Sequence, residues 1–245
     1  LLLQVVVSEW GVIGGPFQYG DKYAHSAIVS SKETIQSEGP WGVSDKVFNY
    51  TVFNSGSLSK YILRKVPYDF EYADIQAGIG TPHAVYAEFT ADETLLVRAE
   101  AQALLGHYAE ALDDLNTELA AFSKDGVQLT LDDVKKFYSD DVTAYYTPEK
   151  PTPRKAFHTT FAISKDTEEP MLQCILHLRR IMTIHEGLRM QDVKRYGITI
   201  YRRDVKSNYK ITGVTDTMKA RDPRLAIQLP QDVITAGVTP NPRNK

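Results

Sequence analysis

The sequence predicts a mainly α protein, a portion of an α/α superhelix with long irregular loops and a few short strands. Three observations lead there. Residues 91–122 contain two runs of helical apolar spacing that meet at a glycine, residues 168–196 contain a third and longer run, and residues 1–90 show turn chemistry instead of periodicity. The chain divides accordingly: a loop-rich aromatic segment over 1–90, part of the same domain, and a helical region with an extended tail over 91–245.

In the first segment glycines and large rings alternate. Trp10-Gly11, Gly14-Gly15-Pro16-Phe17, Tyr19-Gly20 and Gly39-Pro40-Trp41-Gly42 are followed by Phe48, Tyr50 and Phe53. Short strands are expected over 46–53 and 60–66, where Tyr, Val, Phe and Ile cluster. So many rings argue against disorder, whose composition is poor in aromatics. A long irregular stretch that stays ordered is usually functional.

The next segment is a helical pair. Leu95, Leu96, Ala99, Ala103 and Leu104 recur at the spacing of one helical face, and Tyr108, Ala111, Leu112, Leu115, Leu119 and Phe122 do the same. Gly106 between them lets the chain reverse where a Cβ would clash. Small Ala99 and Ala111 let the backbones approach, and Tyr108 is expected to fill the groove beside them. Gly106-His107-Tyr108 followed by Ala111 matches the turn of a tetratricopeptide unit. Such a unit cannot bury its apolar face alone, so stacked neighbours are implied.

A helix is expected over 130–137, with Thr130 as N-cap and Asp132 and Asp133 favourable in its first turn. Three prolines make 147–153 a loop. Thr167-Glu168-Glu169-Pro170 then opens the longest helix, running to about Tyr196, because acids and a proline suit a first turn. Met171, Ile175, Leu178, Met182 and His185 line one face of it. Gly187 inside a helix costs ~1 kcal/mol relative to alanine, so close backbone packing is its expected reason. Beyond Gly197 the chain is read as extended, and helix is expected to dominate from 91 to 197.

At 245 residues the chain has the bulk for one large domain or two modest ones. Its net charge of −3 argues against general nucleic-acid binding. The charge is uneven: nine acids and two bases over 88–125, eleven bases and five acids over 190–245. The plain reading is an acidic helical face near a basic one. The lone Cys174 forms no disulfide within the chain and reads as a buried, inert thiol. No stretch approaches the roughly 18 apolar residues of a membrane span. The opening Leu-Leu-Leu-Gln-Val-Val-Val has no basic start and no small-residue cleavage pattern, so it reads as the end of an internal element, and the chain is expected to belong to a longer protein.

Catalytic and metal motifs are missing from the sequence. His185-Glu186 begins a zinc-protease pattern, but Arg189 stands where the second histidine would be. His177 and His185 lie two turns apart, too far for one ion. Glu186, Arg189 and Asp192 fall on one helical face and read as an ion-pair ladder. Gly14-Gly15 and Gly78-x-Gly80 lack the strand–turn–helix context of a phosphate loop. No cofactor is expected. The glycine-flanked rings are the candidates that remain. Trp41 on its Gly-Pro-Trp-Gly turn comes first, then Trp10 and Tyr50, each able to lie flat against a sugar while Asn49, Asn54 or Gln18 hydrogen-bonds its hydroxyls. Any one ring could equally fill a core gap.

Three groups of residues resemble the C-terminal half of the SusD/RagB family of outer-membrane glycan-binding lipoproteins. They are Arg98-Ala99-Glu100-Ala101 with Gly106-His107-Tyr108-Ala109-Glu110-Ala111-Leu112 and Asp114-Leu115-Asn116; Leu178-Arg179-Arg180 with Glu186-Gly187-Leu188-Arg189, Asp192 and Lys194-Arg195-Tyr196; and Asp222-Pro223-Arg224 with Ile227-Gln228-Leu229-Pro230 and Asn241-Pro242-Arg243-Asn244. The resemblance covers 88–245. It implies oligosaccharide binding without catalysis at the bacterial cell surface, a lipid anchor on a preceding segment, and a SusC-like TonB-dependent outer-membrane transporter as partner. Two other classes stay open: a tetratricopeptide adaptor for peptides, and an α-helical glycosidase using two carboxylates.

Overall fold

The structure, a computed structural model, describes residues 25–50, 52–55, 60–63, 69–83, 89–184, 186–206 and 210–243. Strand β1 (His25–Ser26) runs into helix α1 (Ala27–Glu33), capped by the Ser26 hydroxyl, which accepts from the Val29 amide at 3.4 Å. Strands β2 (Glu38–Gly39) and β3 (Gly42–Val43) flank a tight turn, and one helical turn, α2 (Ser44–Val47), follows. Strand β5 (Lys60–Leu63) pairs antiparallel with both β1 and β4 (Val52–Ser55). Strands β6 (Asp69–Asp74) and β7 (Ile79–His83) form a hairpin.

Five helices come next: α3 (Ala91–Leu104), α4 (Tyr108–Phe122), α5 (Leu131–Phe137), α6 (Glu168–Met182) and α7 (Arg189–Tyr196). A hairpin of β8 (Ile200–Val205) and β9 (Ile211–Met218), a 3-10 turn at Pro223–Leu225 and the short α8 (Gln231–Thr235) complete the described chain. The protein is mainly α with short antiparallel strands, as the sequence predicts.

The helical pair forms as its spacing requires. Leu96, Ala99 and Ala103 of α3 and Ala111, Leu115 and Leu119 of α4 are fully buried. Gly106 turns the chain at φ 80°, in the left-handed region that glycine tolerates best. Arg98 clamps the hairpin by donating from Nε and Nη2 to the two oxygens of Asp114, at 2.9 and 2.5 Å. Helix α6 packs against α3, α4 and α5. Thirteen of its fifteen residues are buried, so the other elements are arranged around it. Trp41 and Phe48 from the loop-rich segment join the same core cluster as these helices.

Two expectations need correction. The segment 168–196 is two helices: α6 stops at its C-cap Thr183, and α7 starts at Arg189. Gly187 lies in the break at φ 81°, and a Cβ there would meet nothing within 4 Å, so left-handed backbone rather than close packing is its reason. Glu186 is therefore off the helix, and within α7 the expected ladder has the Arg189–Asp192 pair, at 3.4 Å. Helix still dominates 91–197 as expected, while the segment 138–167 between α5 and α6 contains no helix. Its prolines leave it irregular, and it is tied down by hydrogen bonds from Tyr146 N to Arg154 O (2.8 Å), from His158 N to Tyr196 O (2.8 Å), and between the Gln173 amide and both backbone groups of Lys155. Secondly, 46–53 begins with α2 and is strand from Val52, with Thr51 outside the described residues, while the strand expected over 60–66 is seen from Lys60 to Leu63, with 64–66 outside the described residues. Helix α5 forms as expected, with a Thr130/Asp133 capping box.

Candidate binding cleft

The indole of Trp41 does not stand clear of the surface. It is 5% exposed, donates from Nε1 to the Ser44 hydroxyl at 3.0 Å, and lies 5.0 Å from the His177 ring and 5.4 Å from Phe48. The flanking glycine has a different purpose from the one expected. A Cβ on Gly39 would collide with the indole, which folds back beneath the turn. Tyr50 is half-buried against Phe48 and Phe122, and its hydroxyl donates to the Ile35 carbonyl. Asn49 is exposed, and its amide donates to the Phe122 carbonyl at 2.9 Å. Asn54 lies in β4, while Trp10 and Gln18 lie outside the described residues.

What the Trp41 turn does build is one wall of an open cleft of roughly 830 Å³. Glu38, Gly39, Pro40, Gly42 and the end of α1 form that wall, Asp133, Lys136 and Phe137 of α5 with Val142 to Ala144 form the second, and the Lys150–Pro153 loop forms the third. Prolines and a local turn hold the third wall: Thr147 N donates to Lys150 O, and Lys150 N donates to the Thr147 hydroxyl, each at 3.1 Å. A second groove of roughly 680 Å³ shares Ser31, Lys32 and Pro151 with the first and is lined by Tyr61 and Ile28. The rings that reach these grooves are thus Phe137 and Tyr61.

The polar groups of the cleft differ in freedom. Gln36 is committed at both ends, accepting from Ser30 at 2.8 Å and donating to Asp45 at 3.2 Å. Asp133 accepts from the Thr130 amide (2.8 Å) and hydroxyl (2.6 Å), and these bonds hold its carboxyl below the usual aspartate range. Lys32, Lys136 and Lys150 make no ion pair among the described residues. Flat apolar surface from Phe137 and the prolines beside such donors fits a ligand that is itself amphipathic.

Two buried clusters lie behind the cleft. Ser37, His177 and Tyr138 are all at most 3% exposed, with Ser37 Oγ 2.7 Å from His177 Nε2 and Tyr138 Oη 3.0 Å from Nδ1. The Ser37 hydroxyl donates to the Thr34 carbonyl at 2.6 Å, so Nε2 carries the hydrogen and cannot act as a base toward Ser37. Burial and the nearby cations Arg180, Lys155 and Arg189 hold this imidazole neutral. The trio is a core network. In the second cluster Glu33 meets Lys155 (2.8 Å), Arg203 (3.1 Å) and Arg180 (3.4 Å), joining α1 to α6, β8 and the 138–167 segment. Burial opposes its charge, but these cations outweigh that and keep its carboxyl below the ordinary range.

The residues that carry the family resemblance are largely joints. Glu100 is bonded by Arg179, by Arg195 at 2.8 Å and by the Tyr196 hydroxyl at 2.6 Å, and Arg179 reaches Asp192 at 3.3 Å, which ties α3, α6 and α7 together. Arg224 folds onto Asp222 and Asp216, while Gln228 and Asn241 close the tail on itself. Among the described residues no group of three or more His, Cys, Asp or Glu could hold a metal, and no helix is long and apolar enough to cross a membrane. Cys174 is fully buried. Sequence reasoning missed Phe137, Tyr61 and the three lysines. Their usable signal was Lys150 among the three prolines, which marks a rigid exposed loop. Compared with known proteins, the chain matches no family model, no curated protein and no solved structure.

Proposed function

We propose that the chain is the ligand-holding part of a SusD/RagB-like cell-surface protein that binds an oligosaccharide and passes it unchanged to a TonB-dependent outer-membrane transporter. On this reading α3 and α4 are one tetratricopeptide-like unit of an α/α superhelix. The observation that carries it is the open cleft beside the Gly39–Gly42 turn, where half-buried Phe137, rigid proline faces and free hydrogen-bond donors surround roughly 830 Å³. Sugars offer C–H faces to rings and hydroxyls to donors, so the same walls can satisfy both. Trp41 is a support of this site and not its platform.

Binding without turnover suits the state of Asp133. A glycosidase needs one acid whose pKa is raised toward the working pH. Asp133 is held the other way by its capping hydrogen bonds. Transporter partnership and surface localisation follow from the resemblance. The test is calorimetric titration with plant, host and microbial oligosaccharides, followed by chromatography of the recovered sugar. At least one should bind and return intact. Binding of none, or cleavage of any, contradicts the proposal.

A further inference from the structure

We infer that the oligosaccharide taken by this cleft is anionic, carrying carboxylate or sulfate groups; this rests on the glycan-binding reading above. Lys32 from α1, Lys136 from α5 and Lys150 from the proline-rimmed loop are far apart in the chain and line one cleft. None has an ion-pair partner among the described residues, whereas neighbouring cations do: Lys135 pairs with Asp166 at 3.3 Å, Arg154 with Asp140 at 2.8 Å and Lys155 with Glu33 at 2.8 Å. Three ammonium groups outnumber the two lining carboxylates, Glu38 and Asp133, by one. The cleft is therefore locally cationic in a chain whose net charge is −3.

The surroundings make that charge useful. Apolar walls beside a charge lower the local dielectric and focus its field, which raises the local concentration of anions. Lysine presents a compact point charge on a flexible stem, so it can meet anionic groups spaced along a sugar chain without a fixed bidentate geometry. A neutral glycan would use the rings and hydroxyls equally well but would leave the excess positive charge of the cleft unmet.

The test compares oligogalacturonides, sulfated chondroitin oligosaccharides and neutral xylo- and malto-oligosaccharides of matched length by calorimetry, at low and at physiological salt. At least one charged series should bind about ten-fold or more tighter than the neutral ones, as two exposed ion pairs allow, and lose affinity as salt rises. Lys32→Gln, Lys136→Gln and Lys150→Gln should each weaken that series roughly two- to five-fold and weaken any neutral binding less, because glutamine keeps a hydrogen-bond donor but not the charge. All three lysines are exposed, so thermal unfolding should not move. Which charged series responds separates carboxylate from sulfate recognition. If neutral sugars bind as tightly as charged ones, or the lysine variants change nothing, the inference is overturned while the glycan-binding reading stands. If no sugar of either kind binds, both fall.

Discussion

A methyl group on residue 39 would run into the six-membered ring of Trp41. That contact fixes the whole turn, because the indole is also wedged between Phe48 and His177 and hydrogen-bonded to Ser44. Trp41→Ala should cost about 3–5 kcal/mol, the range for emptying a packed aromatic site, and Gly39→Ala should destabilise in the same direction; chemical denaturation measures both. Charge at this scale sets the acid limit of the fold. Burial resists ionisation of Glu33 and Glu100, but Lys155, Arg180 and Arg203 around the first, and Arg179, Tyr196 and Arg195 around the second, bring both below the ordinary 4.5. A carboxyl depressed in the folded state contributes stability above its unfolded pKa and loses it as pH falls through the folded value. Unfolding free energy should therefore fall in two stages on acidification, first below about pH 6.5, where the unfolded chain takes up a proton that buried His177 resists, and again below about pH 4.5, and Glu33→Gln should lower it at pH 7 by about 3–5 kcal/mol while flattening the second stage.

Helix boundaries follow backbone conformation more than side-chain pattern. The apolar spacing over 171–182 continues far enough to suggest one helix to Tyr196, because periodicity does not register a single left-handed residue. Gly187, at φ 81°, ends that continuity, and Gly197, at φ 60°, caps α7. The two glycines differ in surroundings: nothing lies near Gly187, whereas the His158 carbonyl sits against Gly197. Gly187→Ala should cost about 1–2 kcal/mol from backbone strain alone, and Gly197→Ala distinctly more, read from urea midpoints. The α3/α4 pair and α5 were legible because local rules decide them: a glycine reversal, alternating faces, a Thr-x-x-Asp cap. The cleft was not, since its first wall, within 31–43, is distant in sequence from the other two, within 133–153, and meets them only in the folded chain. Trp41 misled for a physical reason. Glycines beside a ring permit close packing as readily as exposure, and one sequence cannot separate the two.

On the scale of the molecule, α6 is the centre and three charged or polar clusters bolt the rest to it. Glu100 joins α3 and α7 to Arg179, Glu33 joins α1 and β8 to Arg180, and His177 joins the loop-rich segment through Ser37 to Tyr138 next to α5. Such joints cost several kcal/mol to bury and hold only when complete, which makes the cleft walls a fixed frame. A rigid frame suits recognition by shape and weak contacts, where little ordering remains to oppose binding. If the sugar lies in the first cleft and extends into the adjoining groove, Phe137 and Tyr61 are the rings it stacks on. The most direct measurement is calorimetry of the best-binding oligosaccharide against Phe137→Ala and Tyr61→Ala, with circular dichroism to show that the helices are intact. Loss of about 1–3 kcal/mol of binding free energy in at least one variant, with unchanged helical signal, is the expected result. Wild-type affinity in both would place the sugar elsewhere and contradict the account.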